Sequence, residues 1–309
     1  MRRRAEPLGF AAATVVGVVA VAVLVATRGG DGSAIGVGVL PRGVAIADGG
    51  VWVTAAESNS VSRIDTRARK VTHKIEVGKV PFGIAVMDGA VWVANSKSHT
   101  VSRIDPENDR VAATAALGRN GRRPGPIAAA DSALWVASTK DGYASRLDPR
   151  SGAVTAEIPL GAIPNDVAVG AGAVWVSFGK ANRVLRIDPE TNSITADIPL
   201  PGAPDGIAVD TGTIWVANAR SDRVTRIDTS TNAVTTAIDV GDGPDAVAIG
   251  AGSVWVTNIR DNTVSRIDPA TNRVTATMHV GANPGAVAVG EGAVWVVNET
   301  DGSVSRLRP

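Results

Sequence analysis

The chain has 309 residues, no Cys, 3 His, and 31 basic residues against 30 acidic ones, for a net charge of +1. The lack of Cys excludes a disulfide framework, thiolate catalysis, Cys-ligated zinc and a lipid anchor on Cys, and the charge balance argues against a nucleic-acid binder, whose binding domain is clearly basic. A hydrophobic content of 44% is ample for a packed core and excludes a disordered chain.

Residues 8–27 (LGFAAATVVGVVAVAVLVAT) carry no charge. As a helix they would span about 30 Å, the thickness of the bilayer hydrocarbon. Arg2, Arg3 and Arg4 precede them, and the positive-inside rule then holds the N-terminus in the cytoplasm and exports the rest of the chain. A cleaved signal peptide is the rival reading. Against it, the run is longer than the usual apolar region of roughly 7–15 residues. Leu24 would also stand three residues before a cut after Ala26, where a small side chain is preferred. The expected arrangement is a basic cytoplasmic segment at 1–7, an uncleaved transmembrane anchor at 8–27, a linker at 28–33 (RGGDGS) and an extracytoplasmic domain at 34–309, in a single-pass cell-membrane protein.

Seven Trp residues mark the rest of the chain: Trp52, Trp92, Trp135, Trp175, Trp215, Trp255 and Trp295. Their intervals are 40, 43, 40, 40, 40 and 40. Each repeat parses into four short strands, as in AVAIG, SVWVTN, TVSRID and RVTATMHV of residues 246–280. A GAG-type turn, a loop such as IRDN and a DPATN turn separate them. In DPATN the Asp forms an Asx-turn, Pro fixes φ, and Asn tolerates a left-handed backbone. Four strands in about 40 residues, with one Trp each, is the period of a propeller blade. The chain ends at SVSRLRP, after a third strand. Residues 34–39 (AIGVGV) match fourth-strand endings such as IEVG, so they should complete blade seven and leave no open edge. The expected fold class is therefore all-β, a seven-bladed propeller closed by its N-terminal strand and preceded by one transmembrane helix.

The segment VWVTNIRDNTVSRIDPATNRVTATMHVGANPGAVAV (254–289) resembles the YVTN-type β-propeller repeat family, and the resemblance covers residues 34–309. It implies the propeller fold and an extracytoplasmic setting, and says little about activity. A more distant likeness, in repeat grammar only, is to streptogramin B lyase propellers. The acidic residue and the His expected of that enzyme find no convincing match, because the residues after WV are mostly Asn.

Residues repeated in every blade read as framework. The Trp rings should pack between sheets. An Arg stands in every third strand (Arg63, Arg103, Arg146, Arg186, Arg226, Arg266 and Arg306), and in six repeats an Asp follows two residues later on the same face, which suggests a shared structural pairing. Function should sit where the repeat is broken. Ten residues before each Trp, at the expected channel mouth, stand Arg42, Phe82, Gly125, Asn165, Asp205, Asp245 and Gly285. Asn165, Asp205 and Asp245 come from consecutive blades and could converge to bind Ca²⁺ or to do acid–base work. Five residues after each Trp stand Glu57, Lys97, Lys140, Lys180, Arg220, Arg260 and Thr300, a run of five cations that could attract an anionic partner. The three-residue insertion falls in GRNGRRPGP (118–126) and adds Arg119, Arg122 and Arg123. Apart from the seven Trp and Phe10, the aromatics are Phe82, Tyr143 and Phe178, all at positions expected on the same face, here called the top.

These residues set the expectation of a binding site made of Phe82, Arg119, Arg122, Arg123, Tyr143, Asn165, Phe178, Asp205 and Asp245. The reading is a membrane-anchored extracytoplasmic binding or sensor propeller, monomeric, with a small molecule, glycan or protein as ligand on the top face, no nucleic acid and no cofactor. A metal-dependent lyase or hydrolase at the channel mouth is the alternative, and a purely structural cell-surface protein is the third. No Ser-His-Asp set, phosphate loop or metal-binding His pair is present. His73 and His279 fall in outer strands and His99 in a turn.

Overall fold

The computed structural model describes residues 34–117, 122–130 and 133–309. The anchor expected at 8–27, its flanking segments and Arg119 lie outside the described residues.

Those residues form seven four-stranded antiparallel sheets, six of them with their strands in chain order. Blade one runs through Pro41–Ala47, Gly50–Ala55, Ser60–Asp65 and Lys70–Glu76. The last blade takes Pro284–Gly290, Ala293–Asn298 and Ser303–Leu307 from the C-terminal end and its outer strand from Ile35–Gly36. Ile35 pairs with Val304 and Gly36 with Ser303, and the Val37 amide donates to the Gly302 carbonyl at 2.9 Å. The closing strand is thus two residues long, within the six expected. Each inner strand packs against the inner strand of the next blade, and blade seven's against blade one's, so the ring is closed.

The core is divided into seven hydrophobic clusters, one for each interface between blades. All seven Trp side chains are 2% exposed or less. Each lies at the interface with the following blade: Trp215 packs with Val224 and Ile238 of its own blade and with Val254, Val256 and Ile267 of the next. Period-two alternation sends the Trp into this seam while its neighbours on the strand face the other sheet.

The repeated Arg does not pair with the Asp two residues on. It sits opposite the Trp across the strands, as Arg226 does against Trp215, and its guanidinium lies 5.1–5.9 Å from the ring centroid in six blades. In three blades its tip reaches the bottom turn of the next one. Arg63 bonds Asp109 at 2.8 Å, Arg186 bonds Asn232 at 3.4 Å and Arg226 bonds Asn272 at 3.1 Å. The Asp instead caps its own turn: Asp228 Oδ1 accepts from the amides and hydroxyls of Ser230 and Thr231, which pulls its pKa down to about 2. Asn192, Asn232 and Asn272 hold the left-handed position of these turns, with φ of 56°, 58° and 55°. Arg stacking and Asp capping both tighten blade seams and turns, a structural task that explains why the pair recurs in phase.

Candidate functional site at the channel mouth

In six blades a Pro opens the inner strand and the pairing register then shifts, as between Pro204 and Ile207. A bulge of this kind re-aims the residues it contains. Here it turns the residue after Pro toward the channel axis. Blade four lacks the shift, and its inner strand starts at Asp166. The other blades carry Gly, Pro or Ala at the equivalent place (Gly43, Gly83, Pro126, Gly206, Ala246 and Ala286). At Gly43, Gly83 and Gly206 a Cβ would collide with the main chain of the next blade, and the other bulged blades carry only Pro or Ala there. Without the bulge, Asp166 fits. Its Oδ2 accepts the Ile207 amide of the next blade at 3.1 Å, and its Oδ1 accepts the Val167 amide at 2.8 Å.

The result is a cavity of about 320 Å³ on the axis, whose lining includes Arg42, Phe82, Asn165, Asp166, Asp205, Asp245 and Glu299. Among the described residues, four carboxylates face one cation there. Arg42 Nη1 donates to both oxygens of Glu299 at 2.8 Å, and its guanidinium stands 5.9 Å from the Phe82 ring centroid. Asn283 donates to Glu299 at 3.0 Å. Across the mouth, Asn165 donates to Asp205 Oδ1 at 3.3 Å and accepts the Gly179 amide at 2.8 Å. Ser177 ties the two blades below them, donating to the Asp205 carbonyl and accepting the Asp166 amide. Thr54 does the same between blades one and two, accepting from Gly43 and donating to Phe82.

Loss of hydration raises the pKa of all four acids. Asp166 is pushed up to about 7. Asp245 is raised well above its ordinary value, first by desolvation and then by the charges of Asp205, Glu299 and Asp166. Asp205 and Glu299 are raised for the same first reason, the latter against the pull of Arg42. Among the described residues no group of three or more His, Asp or Glu is arranged to hold a metal ion. What the mouth can do chemically is hold and exchange protons and present oxygen acceptors.

Of the residues singled out in the sequence, Phe82, Asn165, Asp205 and Asp245 meet in this cavity. Arg42 and Gly285 of the same column join them, whereas Arg122, Arg123, Tyr143 and Phe178 do not line it. Arg122 is 4% exposed and acts as an internal anchor: its Nε bonds Glu157 at 2.7 Å, its NH1 bonds Asp141 at 2.8 Å, and its guanidinium lies 3.7 Å from the Tyr143 ring centroid. Tyr143 is therefore covered by Arg122 rather than presented to a ligand. Phe178 is fully buried in the seam between blades three and four. It occupies the position that holds Asn in blades two, five, six and seven, where Asn258 and Asn298 bond hydroxyls of the third strand from the interior. Arg123 is exposed, as are Lys97, Lys140, Lys180, Arg220 and Arg260, and Arg260 is paired with Asp242 at 2.7 Å. Asp166 and Glu299 were not singled out. Both break the repeat in columns next to the ones inspected: Glu299 stands four residues after Trp295, where the other blades have Ala, Ser, Thr, Gly or Ile.

The virginiamycin B lyase family profile matches residues 35–308, nearly the whole propeller. The chain belongs to the virginiamycin B lyase family. The closer resemblance, to YVTN-type repeats, is not the assignment that emerges. No curated protein matches the chain. Among solved structures, a catalytically inactive histidine-to-alanine variant of virginiamycin B lyase from Staphylococcus aureus, with quinupristin, is 22% identical. The match covers 87% of this chain and 94% of that one, with a TM-score of 0.76. Hydrazine synthase of Kuenenia stuttgartiensis is 15% identical over 87% of this chain and 96% of its own, also at 0.76. The mitotic checkpoint complex contains a chain 12% identical, covering 100% and 99%, at 0.80. Likeness at these identities establishes the fold.

Proposed function

We propose that the chain is a membrane-anchored, extracytoplasmic binding propeller that takes its ligand at the carboxylate-lined channel mouth and does not perform histidine-dependent lyase chemistry. The observation that carries the reading is the cavity of about 320 Å³ with its acids and no histidine. The relative in complex with quinupristin is catalytically inactive with a single histidine replaced by alanine. Here His73 pairs with Asp109 at 3.0 Å in an outer strand, His279 is exposed on another, and His99 meets the Arg122 carbonyl at 2.7 Å at the rim. None lines the cavity. Incubation with quinupristin is expected to leave the compound unchanged by mass spectrometry, in wild type as in an Asp166→Asn variant. Turnover that Asp166→Asn abolishes would overturn this reading in favour of a lyase, which family membership supports as the second reading.

The anchor at 8–27 and the exported setting are part of the same proposal. Because the closing strand begins at Ile35, the chain enters at the bottom of blade seven. A linker of six residues spans at most about 20 Å, so the bottom face should lie against the bilayer and the mouth should face away. Single cysteines in this Cys-free chain test it, at exposed Arg123 for the top and exposed Thr191 for the bottom. An impermeant bulky maleimide on intact spheroplasts should label Arg123→Cys faster. Equal labelling would contradict the orientation, and labelling of neither would contradict export.

A further inference from the structure

The two halves of the channel mouth differ in how their acids are satisfied. On one side Arg42 supplies a guanidinium, held by both oxygens of Glu299 at 2.8 Å and lying 5.9 Å from Phe82. On the other side stand Asp205 and Asp245, from blades five and six. Asp205 accepts one bond, at 3.3 Å from Asn165. Asp245 lines the cavity, and among the described residues its carboxylate accepts no hydrogen bond. Desolvated acids are costly unless a cation or donors meet them. No basic side chain of the described lining other than Arg42 is there to do so.

We propose that the Asp205–Asp245 side of the mouth binds an organic cation, a guanidinium or primary ammonium group carried by a small molecule, in the way the other side already holds Arg42. This rests on the reading of the mouth as a ligand site and names the chemistry of that ligand. The internal Arg42–Glu299–Phe82 arrangement shows the mouth accommodating a planar cation, one of whose nitrogens meets both oxygens of a carboxylate, near a ring face. Asp245 would take the incoming group, with Asp205 as second acceptor and Asn165 holding Asp205 in place. An ammonium or guanidinium brings several N–H donors to lone pairs that have none, and its charge relieves the mutual repulsion that raises the Asp245 pKa. Cavities of this size are of the order that small ligands occupy, about 300–1,000 Å³. Anionic ligands are disfavoured by three more acids than bases in the lining.

The test is isothermal titration calorimetry on the full chain at pH 7.5 and low salt, with three probes of similar length: agmatine as dication, glutarate as dianion and 1,5-pentanediol as neutral. Agmatine should bind, and the other two should not. Asp245→Asn should weaken agmatine at least tenfold while leaving the melting temperature equal or higher, since a desolvated acid has been replaced by a neutral isostere. The rim variant Lys180→Gln should bind as wild type does. Agmatine binding that Asp245→Asn leaves unchanged would overturn the proposal, as would its displacement by equimolar Ca²⁺. Binding of glutarate or pentanediol in place of agmatine would overturn the cation chemistry and leave the mouth standing as a site. Binding of none of the three would count against both.

Discussion

Trp215→Ala is expected to cost about 3–5 kcal/mol, the range for removing a large buried aromatic. The ring is 1% exposed and touches two blades, so its loss opens a cavity that spans a seam rather than one within a sheet. Neither sheet can collapse into the gap without dragging the inner strands that form the closed ring. The Arg226 guanidinium, 5.4 Å from the ring centroid, loses its support as well, and with it the alignment of its bonds to the next blade's turn. Thermal unfolding should show a clear drop in melting temperature whether or not ligand is present. A drop of a degree or less would mean that the seam repacks and that the inter-blade core is softer than its burial implies.

Arg122→Ala should be the most damaging change among the top-face basic residues, at about 2–3 kcal/mol. Removing one partner of a buried pair typically costs about 3–5 kcal/mol because a charge is left alone. Here the abandoned carboxylates of Asp141 and Glu157 are 30% and 37% exposed and recover some hydration, which lowers the figure. The Tyr143 ring also loses the guanidinium stacked on it. Arg122→Lys should recover only part of the loss, since one ammonium cannot bridge both acids and cover the ring. Arg123→Ala, one residue along and exposed, is the control and should leave stability unchanged. Equal stability of the Arg122→Ala and Arg123→Ala proteins would contradict the anchoring role.

The blade count, the strand order within each blade and the closure by the N-terminus were legible because they follow from phase. Trp residues at intervals of 40 or 43 and a missing fourth strand admit one closed ring. The residues of the candidate site were legible only in part. Asn165, Asp205 and Asp245 were singled out because they follow Pro; the bulge turns Asp205 and Asp245 inward, and Asn165 lines the same cavity from the blade without one. Asp166 was missed because its column holds only Gly, Pro or Ala in every other blade, and at Gly43, Gly83 and Gly206 it faces the next blade's backbone. Register shifts depend on hydrogen bonds between strands, and the one-dimensional pattern does not carry them. Phe178 and Tyr143 misled for the opposite reason. Their position along the chain puts them at the top, but burial depends on which way the strand pleat turns the side chain and on what covers it, here the core seam and Arg122.

The sharpest physical consequence of placing the chemistry at the mouth is a carboxyl that titrates near neutrality. Asp166 has its pKa raised from 3.8 to about 7 by burial. A raised carboxyl favours the folded state most when protonated. Its contribution is fully present below the unfolded value of 3.8 and is lost as pH rises through about 7. The bottom-turn acids are shifted down, as Asp228 is to about 2, and weaken the fold only as pH falls through that region. Stability should therefore be greater at pH 5 than at pH 8, and Asp166→Asn should flatten that difference. The most direct measurement is a carboxyl ¹³C NMR titration of Asp166 in the folded chain. The account predicts a midpoint near pH 7. A midpoint near 3.8 would show Asp166 to be an ordinary hydrated surface acid, and the carboxylate-lined mouth would lose its claim to be the site.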